Sequence, residues 1–279
     1  GRALWPVIAA VAFGVTTFDL SYVHECVTYL TFLDRSPLSL LNESPIGMHL
    51  RGLPTPVRVF APGPNLPTMM RVNCVPEYLG IGPKPYFDRQ LAIPRYPAEK
   101  ETPELRAALI EWLQRAGVTH VLSQQPIDAT AWPVSNAMQA MDSFLNAAWG
   151  RGREPMSLDS LVGSRSRVFL EDAPDGKGVT IQELRDEAIA LEVESNSTQR
   201  LIVLDLPYPG WEVTIDGEPA EAGVYEGMYR SVRVPSGRHR VEWAFIPRSF
   251  YRGLMVFAAA AISLFVWMWM EWKRGGRVR

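Results

Sequence analysis

The sequence predicts a membrane-anchored α+β protein: a small α/β layer, then an antiparallel β-sandwich, flanked by transmembrane helices. Three observations carry this. Gly253 to Met270 is 18 residues without a charge, about the length that crosses a bilayer core at ~1.5 Å per residue. From about Arg165 onwards, apolar and polar residues alternate in short runs between turn signals, which is the period of half-buried strands. Between Thr102 and Leu122 a helix with both ends marked runs directly into a short apolar strand.

The 279 residues, 47% of them hydrophobic, suffice for one transmembrane region and one or two globular domains. A formal net charge of -2 gives no support to nucleic-acid binding, which needs a clustered basic face. Gly1 rather than Met opens the chain, so the expectation is a fragment or processed product of a longer protein. No signal-peptide pattern is present. The expected layout is a transmembrane helix over 1–20, an extracytoplasmic proline-rich and α/β region over 21–155, and a sandwich over 156–250. A second transmembrane helix over 251–272 and a basic cytoplasmic tail over 273–279 complete it.

Ala3 to Phe18 is uncharged and apolar, just short of a full span. It reads as a helix running from inside to outside, with Arg2 on its inner flank and Trp5 and Tyr22 at its boundaries; a buried core helix or a signal segment would be the soluble alternative. Asp19 at its end reads as a solvated helix terminus. Pro54 to Pro97 holds 10 of the 23 prolines, which excludes long helices and central strands there, although Val57 to Phe60 suits a short strand. Cys26 and Cys74 form no framework; an extracytoplasmic site would permit a bridge, and two partly buried thiols are the plainer reading.

Thr102, Pro103 and Glu104 open a helix as N-cap, first-turn proline and first-turn acid. Leu105, Leu109, Trp112 and Leu113 share a face, Gly117 stops the helix, and Val118 to Leu122 follows as a strand. A second helix is expected over Asn136 to Trp149, with Met138, Met141, Phe144, Leu145 and Ala148 on its apolar side. Further on, Ile189, Leu191 and Val193 alternate with polar neighbours, and Leu201 to Leu206 is a continuous apolar run broken only by Asp205. Trp211, Val213 and Ile215 share a face before the hairpin dipeptide Asp216-Gly217. Val232 and Val234, then Val241, Trp243 and Phe245, repeat the alternation around the turn at Ser236-Gly237. Strands this short at this spacing make a β-sandwich.

The last apolar segment carries only Ser263 as a polar residue and is followed by Lys273, Arg274, Arg277 and Arg279. Short basic loops stay on the cytoplasmic side, so the tail is placed inside and the strands outside. Trp267, Trp269 and Trp272 suit an inner aromatic belt, Phe250 and Tyr251 an outer one.

The chain carries no nucleophile elbow, phosphate loop or zinc spacing, and its sequence points to no catalytic residue, cofactor or metal ligand. His24, His49, His120 and His239 are scattered, and Asp34-Arg35 and Asp88-Arg89 read as exposed ion pairs. Asn42-Glu43-Ser44 and Asn196-Ser197-Thr198 match an acceptor pattern frequent by chance. Pro209, Gly210, Trp211, Asp216, Gly217 and Gly237 read as fold-specifying, with Trp211 in the core. Tyr208, Tyr225 and Tyr229 remain open as stacking platforms for a sugar ring.

Tyr208-Pro209-Gly210-Trp211, Ile215-Asp216-Gly217, Val234-Pro235-Ser236-Gly237-Arg238-His239 and Phe245-Ile246-Pro247-Arg248-Ser249, followed by a final span, resemble the C-terminal end of the YfhO family of bacterial membrane proteins. Val57 to Val59, Pro64 to Pro67 and Ala116 to Leu122 resemble its upstream extracytoplasmic segments more loosely. The resemblance implies the C-terminal part of an integral membrane protein of the cell envelope. It further implies an accessory or acceptor-engaging region of a glycosyltransferase of the GT-C kind, which uses polyprenyl-phosphate sugars. The implied partners are the lipid bilayer, an envelope glycan or polyprenyl-phosphate sugar, and an upstream transmembrane region of the same parent. The family's catalytic acids are expected in an early loop outside this chain. A non-enzymatic membrane-anchored scaffold of the envelope is the alternative.

Overall fold

The computed structural model describes residues 13–18, 37–53, 56–61, 66–75, 88, 90–94, 100–148 and 154–275. Within them the chain is α+β, with one mixed sheet, two antiparallel sheets and a C-terminal apolar helix.

The first sheet has the order β2-β1-β3-β5-β4, from strands β1 (Arg58–Phe60), β2 (Asn73–Val75), β3 (His120–Ser123), β4 (Val134–Met141) and β5 (Pro155–Leu161). β1 pairs parallel with β2 and β3, whereas β5 runs antiparallel to β3 and β4. Helices α1 (Pro37–Asn42), α2 (Pro45–Gly52) and α3 (Leu66–Met69) precede the long α4 (Pro103–Arg115), and α5 (Ser143–Ala148) follows β4. One face buries Leu40, Ile46, Leu50, Phe144 and Leu145 against Val59 and Leu122. The other face buries Leu109 and Leu113 of α4 against Val121 and Leu161. Adjacent residues Val121 and Leu122 thus serve opposite faces, as the pleat of a strand requires.

The marked ends of α4 behave as their chemistry dictates. Thr102 Oγ1 accepts from the Leu105 amide at 3.3 Å. At the other end Gly117 takes φ +68, and the Val118 and Gly117 amides reach back to the carbonyls of Leu113 and Gln114. These two bonds are the Schellman pattern, which satisfies the last carbonyls and turns the chain into β3.

The helix expected over Asn136 to Trp149 is corrected: Val134–Met141 is a strand paired along its length with β5, and only Ser143–Ala148 is helical. Alanine, methionine and glutamine are good helix formers, but intrinsic propensity amounts to a fraction of a kcal/mol per residue and sheet pairing overrides it. Buried Asp142, between the two elements, accepts from Ser44 Oγ and from the amides of Ile46 and Leu145, tying α2 to α5. Because β5 belongs to the first sheet, the sandwich starts at Val168 rather than at 156.

The sandwich sets the sheet β12-β13-β9-β6 against β11-β10-β14-β8-β7, all antiparallel. Its strands are β6 (Val168–Leu170), β7 (Val179–Leu184), β8 (Ala188–Ser195), β9 (Gln199–Val203), β10 (Trp211–Ile215), β11 (Glu218–Ala220), β12 (Ala222–Tyr225), β13 (Tyr229–Val234) and β14 (Gly237–Phe245). Ile189, Leu191, Val193, Leu201, Val232, Val241 and Trp243 form its core. Asp216 and Gly217 both take positive φ (53 and 85), closing the β10–β11 hairpin as the dipeptide implies. Glu226 and Gly227 do the same between β12 and β13 without so plain a sequence signal. Gly237 leads the chain from one sheet to the other instead of closing a hairpin, since β13 and β14 lie in different sheets.

Helix α6 (Arg248–Gly275) leaves the sandwich directly from β14. Its apolar stretch has mean hydropathy 2.0, and none of it is buried against the other described residues. Such an exposed apolar surface needs lipid, and the helix is long enough to cross a membrane. Of the expected first span, only residues 13–18 are described; they are helical and exposed. The remainder of that span, Asp19, Cys26, His24 and Asp34-Arg35 lie outside the described residues.

Candidate functional site

The row of side chains that β13 points between the two sheets contains Val234, Val232 and Arg230, two residues apart along the strand. The valines are dry core, but the third position carries a guanidinium, 3% exposed, at the end of the sandwich facing the α/β layer. Its Cζ lies 3.7 Å from the centroid of the Trp211 ring and 5.3 Å from that of Trp243. Indole faces attract a desolvated cation.

Arg230 Nη2 donates to Asp205 Oδ2 at 3.2 Å. The same carboxylate accepts from Arg58 Nη2 at 2.7 Å and from Arg167 Nη2 at 3.3 and 3.1 Å. Asp205 follows β9, Arg167 precedes β6, Arg230 is on β13 and Arg58 comes from β1 of the other sheet. The node therefore joins the α/β layer to the sandwich. Asp205 also explains why the apolar run Leu201 to Leu206 stops being a strand at Val203: the backbone turns there and directs the carboxylate at three arginines.

Burial pushes the Asp205 carboxyl up, and the charges of Arg167, Arg58 and Arg230 overcome that and hold it at about 2. Burial lowers Arg230 to about 10 against the pull of Asp205, with Arg167 adding to the lowering. Asp205 and Arg230 are thus both ionised at neutral pH, and the node sets three guanidiniums against one carboxylate. Arg230 Nε, Arg230 Nη1 and Arg167 Nε are buried without a hydrogen-bond partner among the described residues.

These four residues line a cleft of about 260 Å³ together with Trp211 and Tyr229, and its rim includes exposed Arg185 and Asp186. Beside the cleft, Phe169, Ile202, Leu204, Met228 and Tyr229 form an apolar seam against Trp112 of α4. Glu226 adds an ion-paired clamp, accepting from Arg115 of α4 at 2.9 Å and from Arg165 at 3.0 Å. Gly117 allows this closeness, for a Cβ there would meet Leu204 Cδ1 at 2.7 Å. What the arrangement can do chemically is bind. Its central carboxylate, held at about 2 and engaged by three arginines, has no proton to donate at neutral pH and is a weak base.

The sequence-predicted aromatic set does not form one surface. Tyr229 is 7% exposed and packed in the seam, so a sugar ring cannot stack on it. Tyr225 lies across from it on β12, edge-on to Phe169 with ring centroids 6.3 Å apart. Tyr208 is exposed and packs beside Phe245, and it is not among the residues that line the cleft. Trp211 is half-buried, packed against the sandwich core on one side and lining the cleft on the other; the fully buried indole is Trp243. Gly210 fixes the start of the apolar helix: at φ +114 its carbonyl accepts from the Ile246 amide at 2.6 Å, and a Cβ would lie 2.9 Å from the Phe245 ring. Arg248, in the helix's first turn, donates to Glu212 of β10.

No group of three potential metal ligands occurs among the described residues. Burial, then the charge of His49, lowers the pKa of His120, whose Nδ1 lies 2.9 Å from Thr119 Oγ1. Cys74 is a buried free thiol 3.1 Å from Thr68 Oγ1. Asp88 is exposed and caps its own turn through the Gln90 amide; Arg89 is outside the described residues. Sequence reasoning missed Arg58, Arg167 and Arg230, and for Asp205 the interruption of an apolar run was the available signal.

Residues 174–257 match the family described as Bacterial membrane protein YfhO. The match runs from the sandwich into the apolar helix, so the resemblance carried by Tyr208 to Ser249 is confirmed and membrane association is supported. No curated protein and no solved structure matches the chain.

Proposed function

We propose that this chain is the acceptor-engaging part of a YfhO-like envelope glycosyltransferase of the polyprenyl-phosphate-sugar-dependent kind. Its folded region lies outside the membrane and its basic tail in the cytoplasm. The observation that carries the reading is the arginine-lined cleft, placed in the same unit as the strands that run without a linker into the apolar helix. A cleft with a positive surplus and aromatic walls suits holding a polar ligand near a membrane, while its locked carboxylate leaves the transfer chemistry to other groups. Lys273 and Arg274 after the span favour an inner tail.

The test supplies polyprenyl-phosphate sugar and envelope polymer fragments to this chain in nanodiscs, reading binding and turnover separately. The reading expects saturable binding without turnover. Turnover by this chain alone would refute it. Absence of glycan binding, with stoichiometric recovery of an envelope protein, would replace it with the scaffold reading. For sidedness, Ser197→Cys, exposed between β8 and β9, and Gly276→Cys are compared in a background lacking Cys26 and Cys74. Labelling of only position 197 by an impermeant thiol reagent on intact cells is expected, and the reverse pattern would invert the orientation.

A further inference from the structure

The cleft's charge balance points to the chemistry of its ligand. Three guanidiniums meet one carboxylate, leaving a formal surplus of two positive charges on groups with little solvent. Arg58, Arg167 and Arg230 side chains are 10%, 12% and 3% exposed. Uncompensated buried charge is costly, and buried donors without a partner in a native fold call for an explanation. Arg58 is already committed, since its Nη1 donates to the Ala116 carbonyl at 2.6 Å. The unused donors belong to Arg167 and Arg230, and both residues line the cleft.

Arg185 does not add to the surplus, because it pairs with Glu183 at 2.6 Å and Asp186 stands beside it at the rim. The surplus is thus confined to the inner end. A phosphomonoester carries a charge near −1.5 to −2 at neutral pH with three acceptor oxygens, which matches two surplus charges and donors arriving from two side chains. A carboxylate would neutralise only one charge and is planar.

We propose that the inner end of this cleft is a phosphate-binding site, with Arg167 and Arg230 donating to the phosphate oxygens and the indole of Trp211 beside it. This rests on the acceptor-engaging reading and names the ligand's anchoring group. The phosphate can belong to a soluble phosphorylated glycan or to a polyprenyl phosphate at the membrane surface; both are monoesters, and the recognising chemistry is the same.

The experiment measures the melting temperature and calorimetric binding of the full chain in phosphatidylcholine nanodiscs. Inorganic phosphate, a sugar 1-phosphate and the neutral methyl glycoside of the same sugar are titrated at constant ionic strength. A rise of several degrees with phosphate and sugar phosphate, absent with chloride, is expected. Arg167→Lys keeps the charge and removes the planar fork, and should weaken binding at least tenfold; Arg185→Gln at the exposed rim should weaken it less than threefold. Nanodiscs doped with polyprenyl phosphate separate the sources: a rise there, competed by sugar phosphate, assigns the lipid ligand, while a rise with sugar phosphate alone assigns the soluble one. Binding of the neutral glycoside without any phosphate response overturns the phosphate site and leaves the glycan reading standing. No response to any ligand overturns both, and phosphate binding unchanged in Arg167→Lys moves the site elsewhere.

Discussion

The two ends of the space between the sandwich sheets are built from the same strands and do opposite things. At one end Val232, Val234, Leu201 and Val241 close a dry core. At the other, one step along the same row, Arg230 brings a charge between two tryptophans and three arginines converge on Asp205. Burying valine stabilises without needing a partner, whereas a buried guanidinium is tolerable only if other groups answer it. The sandwich therefore supplies stability at its closed end and is available for recognition at its open end, where β1 of the α/β layer supplies Arg58.

Substitutions at the two ends should separate those roles. Leu201→Ala empties a fully buried side chain of the dry end and should cost ~2–5 kcal/mol, lowering the melting temperature by roughly 10 °C. Phosphate should not restore it. Asp205→Asn leaves three guanidiniums facing an uncharged amide and should cost about 3 kcal/mol. Phosphate should restore part of that loss, which would distinguish the charged end from the dry one.

The same contrast was unequally legible in the sequence. Alternation at Ile189, Leu191 and Val193, and the Asp216-Gly217 hairpin, follow from local chemistry, and so were visible. The apolar helix and the caps of α4 were visible for the same reason. The node was not, because Arg58 and Asp205 are 147 residues apart and no local period links them. Strand β4 was misread as helix because its partner β5 decides its form. Trp211 was legible as a core-facing residue from the face it shares with Val213 and Ile215, but the guanidinium that covers it comes from a different sheet, which no local pattern announces.

Acid should sharpen the comparison further. Asp205 is lowered from 3.8 to about 2 in the fold, so its contribution is present above the unfolded value and lost as pH falls through the folded one. That amounts to about 2 kcal/mol, disappearing between roughly pH 4 and pH 2. Melting curves over this range should show a steeper acid limb for the parent than for Asp205→Asn, and equal slopes would show that the carboxylate is not the one responsible.

Smaller effects belong to the junction and the rim. Gly210→Ala forces a Cβ against the Phe245 ring at positive φ and should cost ~1–2 kcal/mol, read as a melting shift of a few degrees. The weakest is His239, raised by its hydrogen bonds to Asp216 and then Ser236. Its contribution is complete below the unfolded pKa of about 6.5 and fades as pH rises through the folded value. His239→Gln should therefore flatten a slight loss of melting temperature above neutral pH, small because exposed pairs contribute little.

The most direct measurement is the position of a tetrahedral oxyanion in crystals of the full chain soaked with tungstate, located by its anomalous scattering. The account predicts one dominant peak at the inner end of the cleft, within hydrogen-bond reach of Arg167 and Arg230, and its loss when excess phosphate is present. A cleft without a peak, or a dominant peak elsewhere that phosphate does not displace, would contradict it.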